Sequence, residues 1–161
     1  MLVKDARGNE LLEVIPVDEE QAMTQYQPVT HALMIVRVGE EYLLGWNHWR
    51  KNWETFGGCI DEGESMRECI IREGFEELGL NGVEYTWLGL MHFKLVPDYF
   101  SPDHREEYGG LYGVTISTEQ FAEAQKYRTD KEEIEKVAFY SKITDRDKIV
   151  AIDEALLEFW K

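Results

Sequence analysis

Gly58-Cys59-Ile60-Asp61-Glu62-Gly63-Glu64-Ser65-Met66-Arg67-Glu68-Cys69-Ile70-Ile71-Arg72-Glu73-Gly74-Phe75-Glu76-Glu77-Leu78-Gly79-Leu80 is the stretch that decides how this chain is read. A glycine loop feeds a helix. Ser65 is a good N-cap with Glu68 three residues on, a capping-box pattern. Gly79 suits the position just past a helix end, so the pattern predicts a helix over about 65–78. At roughly 100° per residue, Glu73, Glu76 and Glu77 fall within about 100° of one another. Ile71, Gly74, Phe75 and Leu78 fall opposite, and that side is the expected core face.

Glutamates at i, i+3 and i+4 repel by roughly 0.2–0.5 kcal/mol per pair on an exposed helix. Only Arg72 is near enough in sequence to relieve much of this. Two readings follow for the helix alone: a solvated acidic face, or carboxylates gathered for a hard divalent cation. The glycines ahead of it, Gly57 and Gly58, allow a sharp turn that presents backbone carbonyls to such an ion.

The whole run resembles the Nudix box, Gly-x5-Glu-x7-Arg-Glu-U-x-Glu-Glu-x-Gly-U, where U is bulky and apolar. The fixed positions are Gly58, Glu64, Arg72, Glu73, Glu76, Glu77 and Gly79, with Leu80 in the last U. Gly74 departs, standing where a bulky residue is expected. It costs roughly 1 kcal/mol of helix propensity relative to alanine, and it would let a neighbouring element pack close.

Outside the box, the 161 residues are enough for one domain with a proper core, and 43% are hydrophobic. A single domain over 1–161, with its box at 58–80, is expected. The net charge of −15 argues against binding to nucleic-acid backbone or anionic membrane, and it repels a polyphosphate unless metal ions and a local basic patch offset it. Cys59 and Cys69 read as free thiols in a reducing compartment. With no apolar leader at Met1–Arg7 and no run approaching ~18 apolar residues, a cytoplasmic location is the expectation.

Along the chain, Leu11–Ile15 reads as a strand and 17–28 as a loop with room for one helical turn. Thr30–Val38 is nearly continuous and apolar, as a covered central strand would be. Tyr42–Trp46 returns as a hairpin strand. Val83–Leu95 is a long strand or a pair kinked at Gly89. Residues 97–110 read as a long polar loop, of a length that is often functional. Leu111–Ile116 is a strand, 117–126 a capped helical stretch and Ile134–Tyr140 the last strand. Thr144–Trp160 reads as a closing amphipathic helix with Ile149, Ile152, Leu156 and Phe159 on one face. This order suggests a mixed sheet between helices, an α/β chain. The Nudix resemblance implies an α/β/α sandwich of that kind.

The resemblance also implies roles. Glu73, Glu76 and Glu77 would hold Mg²⁺ (or Mn²⁺) with the Gly58 carbonyl nearby. Glu73 would order or deprotonate water, and Arg72 would orient a glutamate. Glu64 would support the loop or an outer-shell water. Some relatives take their base from a later loop. Here Glu133 and Glu132 are placed for that, then Glu107 and Glu106. For substrate binding, the basic and aromatic stretch 47–56 offers Arg50, or Lys51, to a phosphate and Trp53 or Trp49 to a base. Trp53 and Phe56 read equally as core. Tyr99, Phe100 and Tyr108 are alternative stacking residues, with His104 and Arg105 near them.

The implied activity is Mg²⁺-dependent hydrolysis of a phosphoanhydride in a nucleoside diphosphate linked to another moiety. The absence of an obvious extra domain favours a (d)NTP pyrophosphohydrolase. ADP-ribose, dinucleoside polyphosphates, nucleotide sugars and a cap-like end stay open as substrates. So do two other classes, a non-catalytic nucleotide-binding regulator and an enzyme like isopentenyl-diphosphate isomerase. A homodimer is also open.

Overall fold

The computed structural model describes residues 1–161. Nine strands form one sheet: β1 (Val3–Lys4), β2 (Glu10–Ile15), β3 (Val29–Val38), β4 (Glu41–Asn47), β5 (Asn52–Glu54), β6 (Phe56–Cys59), β7 (Thr86–Leu95), β8 (Arg105–Ile116) and β9 (Ile134–Phe139). Their order is β1-β2-β7-β8-β3-β4-β5, with β6 also on β3 and β9 on β4. The β3–β8 pair is parallel and the others are antiparallel, so the sheet is mixed. Helices α1 (Glu19–Gln25), α2 (Met66–Leu78) and α3 (Thr118–Ala124) share a core with one face, where Met34, Val36, Tyr112 and Val114 are buried. Helix α4 (Ala151–Leu156) covers the other face over Leu11, Ile35, Met91 and Leu111. Alternate side chains of β3 enter the two cores, which is why its sequence is apolar almost throughout.

Helix α2 starts at Ser65, whose side chain accepts from the Glu68 amide while Glu68 accepts from the Ser65 amide. It stops at Gly79, left-handed at φ 69°, where the Gly79 amide donates to Phe75 O at 2.9 Å and the Leu80 amide to Gly74 O at 3.1 Å. Its buried face differs from the sequence expectation. Ile71 and Phe75 are exposed, at 51% and 43%. The buried stripe is Met66, Cys69, Ile70, Glu73, Gly74, Glu77 and Leu78, a run of three- and four-residue steps. Two of the glutamates therefore lie on the core stripe itself. Separating charged from apolar positions rotates this helix wrongly, because part of its packing surface is polar by design of the site.

Gly74 is explained by its neighbour. A Cβ there would overlap the Tyr85 hydroxyl, with the ring carbon bearing it at 3.1 Å. That hydroxyl is buried with no hydrogen-bond partner.

Three other expectations are corrected. Segment 17–28 contains a seven-residue helix, anchored by Glu19, which accepts a two-pronged bond from Arg67 at 2.8 and 2.9 Å and a third from the Tyr112 hydroxyl at 2.8 Å. The 97–110 loop is shorter, because β8 already starts at Arg105 and pairs with β7 through Leu95↔Arg105 and His92↔Tyr108. The closing helix is broken. Ile149 bridges to Trp53, and the Val150 amide donates to Trp53 O at 3.1 Å, so these residues are extended. Only Ala151–Leu156 is α-helical, with 3₁₀ turns at Arg146–Lys148 and Leu157–Phe159.

Candidate active site

The site forms where β6 lies over α2. Gly57 takes φ 140°, a backbone favoured by glycine, and a Cβ there would overlap the Ala32 carbonyl. Its amide is thereby free to donate to Oε1 of Glu77 at 2.8 Å. A Cβ on Gly58 would overlap the Glu73 carboxylate, whose Cδ lies 2.8 Å from that point. Gly58 thus clears the space that the Glu73 carboxylate fills, while Gly57 lets β6 lie close on β3 and turns its amide to Glu77. Glu77 is 1% exposed and Glu73 9%.

Arg72 fastens this assembly. Its guanidinium holds Glu64 through two bonds of 2.8 and 2.9 Å, Glu73 Oε1 at 2.9 Å, Glu76 Oε2 at 3.4 Å and the Cys59 carbonyl at 3.0 Å. Its hydrogen bonds hold the Glu64 carboxyl down to about 2, and Glu64 in turn raises Arg72. Glu64 therefore braces the loop through Arg72, and Arg72 aims Glu73.

A third segment completes the cluster. The amides of Thr129 and Asp130 both donate to the Glu76 carbonyl, at 3.1 and 2.8 Å, docking the loop after α3 on the C-terminal end of α2. Asp130 Oδ1 then accepts from the Glu133 amide at 3.0 Å. The result brings carboxylate oxygens of Glu77, Asp130 and Glu133 within 4.8 Å of one another. Burial, and next Glu73, push the Glu77 carboxyl well up, with Glu133 and Asp130 adding to it. Burial also raises Glu73 and Glu133.

The donor set tests whether a metal fits. Every group is a hard oxygen, the carboxylates repel one another, and Glu73 has room beside them because Gly58 lacks a side chain. Mg²⁺ and Mn²⁺ suit such oxygens. Of the residues expected from the sequence, Gly58, Glu73 and Glu77 meet here. Glu76 turns its side chain to Arg72 and sits at the rim.

Of the expected substrate residues, Arg50 grips Glu54 at 2.7 and 2.9 Å and reaches Glu133 at 3.6 Å. Glu132 instead lines a separate hollow of about 290 Å³ with His48, Trp49 and Lys131. Trp53 is 6% exposed, with its ring edge-on to Trp46 and its indole N–H donating to Asp145 at 3.1 Å. It is a core residue facing α4, whereas Trp49 is 65% exposed on the β4–β5 turn. Phe56 is fully buried. Glu107 binds Thr30 and Arg105, and Glu106 binds His92. Tyr108 stacks on His92 at 4.4 Å, while Tyr99 and Phe100 are almost wholly exposed.

Sequence reading missed Asp130 and Asn47. Asn47 is fully buried; its Oδ1 accepts from the amides of Trp49 and Arg50 at 3.0 and 2.9 Å, and its Nδ2 faces Glu54 and Glu133 at 3.4 Å each. Asp130 had one signal, its place in the acidic run before β9.

The model of the NUDIX domain family matches residues 25–154. No curated protein matches the chain in sequence. Among solved structures, the Bacillus subtilis pyrophosphohydrolase BsRppH (E68A mutant) is similar at TM-score 0.64 and 18% identity, over 93% of this chain and 85% of that one. A MutT NUDIX hydrolase from Burkholderia pseudomallei gives TM-score 0.60 at 17% identity, over 83% and 98%. The NUDIX domain of Shewanella oneidensis NrtR, solved with ADP ribose, gives 0.58 at 15%, over 89% and 96%. With a family model spanning most of its length and that fold around its acidic cluster, the chain belongs to the Nudix family of hydrolases, which act on pyrophosphate bonds.

Proposed function

We propose that this hydrolase is a divalent-metal-dependent pyrophosphohydrolase of a nucleoside triphosphate. The observation that carries the reading is the convergence of Glu77 from α2 with Asp130 and Glu133 from the loop before β9, with Glu73 close enough to raise the Glu77 carboxyl. Three clustered carboxylates, with Glu73 beside them, leave excess negative charge that a divalent cation offsets.

Glu73, Glu77, Asp130 and Glu133 would hold the metal, with the Gly58 carbonyl beside them. When bound, a divalent ion neutralises phosphoryl charge and acidifies water. Glu73, fixed by Arg72 at 2.9 Å, orders the attacking water and takes its proton. Glu133 is kept in register by Asp130 and by Arg50. Trp49, exposed beside Lys131, offers a face for the base.

A product-resolved screen with Mg²⁺ tests this. It covers canonical and oxidised (d)NTPs, ADP-ribose, dinucleoside polyphosphates and nucleotide sugars, with Glu73→Gln as control. Release of pyrophosphate and a monophosphate from a triphosphate, lost in the control, is expected. Turnover confined to ADP-ribose or a dinucleotide would overturn the substrate, and metal-dependent nucleotide binding without turnover would overturn the catalytic assignment.

A further inference from the structure

A second hollow, of about 530 Å³, opens between the β1–β2 turn, the β4–β5 turn and the segment entering α4. Four cations line it: Arg7, Arg50, Lys51 and Lys148. In a chain with 32 acidic and 17 basic residues, this is a local reversal of sign.

The acids beside them are already engaged or peripheral. Glu54 is held by Arg50 through two bonds. Asp5 closes its own turn, its Oδ1 accepting from the amides of Arg7 and Asn9 at 2.9 Å each. Asp147 is exposed. Arg7 and Lys148 make no ion pair, and Lys51 meets only His48 Nδ1 at 3.4 Å. Three cations are thus left without a carboxylate around one concave surface.

The turn that carries Lys51 is held in a costly shape. Lys51 is the one non-glycine residue with positive φ, at 57°. Its amide donates to Asn47 O at 2.8 Å, while the buried Asn47 side chain accepts from the amides of Trp49 and Arg50. Arg50 and Lys51 are therefore mounted on a fixed backbone. Arg50 belongs to both places, lining the hollow and reaching Glu133 of the carboxylate cluster at 3.6 Å.

We infer that this hollow is an anion site for a phosphate group that is not the one being cleaved. Guanidinium and ammonium groups converging on a concavity suit a phosphate. The phosphate has two chemical sources: the far end of the substrate, or a separate phosphate-bearing molecule. An occupant sharing Arg50 bears on Glu133, and so on the reaction.

Inorganic tripolyphosphate, titrated into metal-stripped protein at low salt, tests the site by calorimetry and by amide shifts. Saturable binding is expected in the wild type and in Glu77→Gln, with shifts centred on Lys51 and Lys148. Binding should weaken at least about 10-fold in the exposed double variant R7Q/K148Q, and it should fall steeply with salt. Unchanged affinity in that variant, or no binding to the wild type, would overturn the proposal. These arms do not depend on the hydrolase reading. The source of the phosphate rests on it, and is read on the wild-type enzyme with its Mg²⁺. Competitive inhibition by tripolyphosphate, with this double variant raising KM, assigns the site to the far end of the substrate. A change in kcat at constant KM assigns it to a separate molecule.

Discussion

The Gly57 amide donates to Glu77 Oε1 at 2.8 Å, joining the glycine strand to the last turn of α2. That one bond fixes the orientation of the most buried carboxylate in the cluster. It also bears on what replacing Glu77 should do.

Glu77→Gln keeps an oxygen for the Gly57 amide and removes a charge that Glu73, Glu133 and Asp130 oppose. Mg²⁺-dependent turnover should fall more than about 100-fold, beyond the loss typical of outer-shell partners. The metal-free protein should melt at the same temperature or higher. A variant with full turnover would remove Glu77 from the metal site.

Trp53 and Trp49 should separate packing from recognition. Trp53→Ala empties a core position and should cost about 3–5 kcal/mol by denaturant unfolding, with KM little changed in whatever folds. Trp49→Ala should leave stability within about 0.5 kcal/mol and raise KM. The opposite pattern would make Trp53 the platform for the base.

Gly74→Ala should destabilise despite the gain of roughly 1 kcal/mol in helix propensity, because its Cβ meets the Tyr85 hydroxyl. Tyr85→Phe deletes a buried hydroxyl without a partner and should be neutral or stabilising. The double variant should recover most of the loss. Simple additivity in a double-mutant cycle would refute the contact as the cause.

Asp153 gives a pH dependence with a definite sign. Its carboxyl accepts from the Thr55 amide at 2.8 Å and from the Thr55 hydroxyl, and burial pushes it from an ordinary value of 3.8 up to about 7. The folded value lies above the unfolded one. Its contribution to stability is therefore full below about pH 4 and lost as pH rises through 7. Asp153→Asn should remove that slope, so wild-type melting temperature falls relative to the variant between pH 5 and 8. Burial holds His31 down to about 4, which acts in the opposite sense, and taking the difference between the two proteins cancels it. Parallel melting curves across that range would exclude the effect.

Most of the sheet was legible because its strands follow from local composition. The apolar run of β3 and the hairpin to β4 needed no tertiary information. Both ends of α2 were legible for the same reason, since Ser65–Glu68 and Gly79 act within one turn. Its rotation was not, because Glu73 and Glu77 occupy positions that apolar residues normally fill. Ile149 and Val150 carry helical periodicity, yet the backbone of Trp53 draws them into pairing, and no local pattern encodes that competition. Asp130 was hidden for a related reason. Its place beside Glu77 depends on two backbone bonds to the Glu76 carbonyl, and a carbonyl looks the same in every residue.

Those two bonds also supply a built-in reporter. The amides of Thr129 and Asp130 are protected from solvent exchange only while the loop stays docked on α2. A cation bridging Glu77 to Asp130 or Glu133 would link the same two segments through their side chains. Deuterium uptake at Thr129 and Asp130 should therefore slow in proportion to metal occupancy. Two backbone positions, well outside the box, would then record whether the centre is loaded without any substrate being turned over.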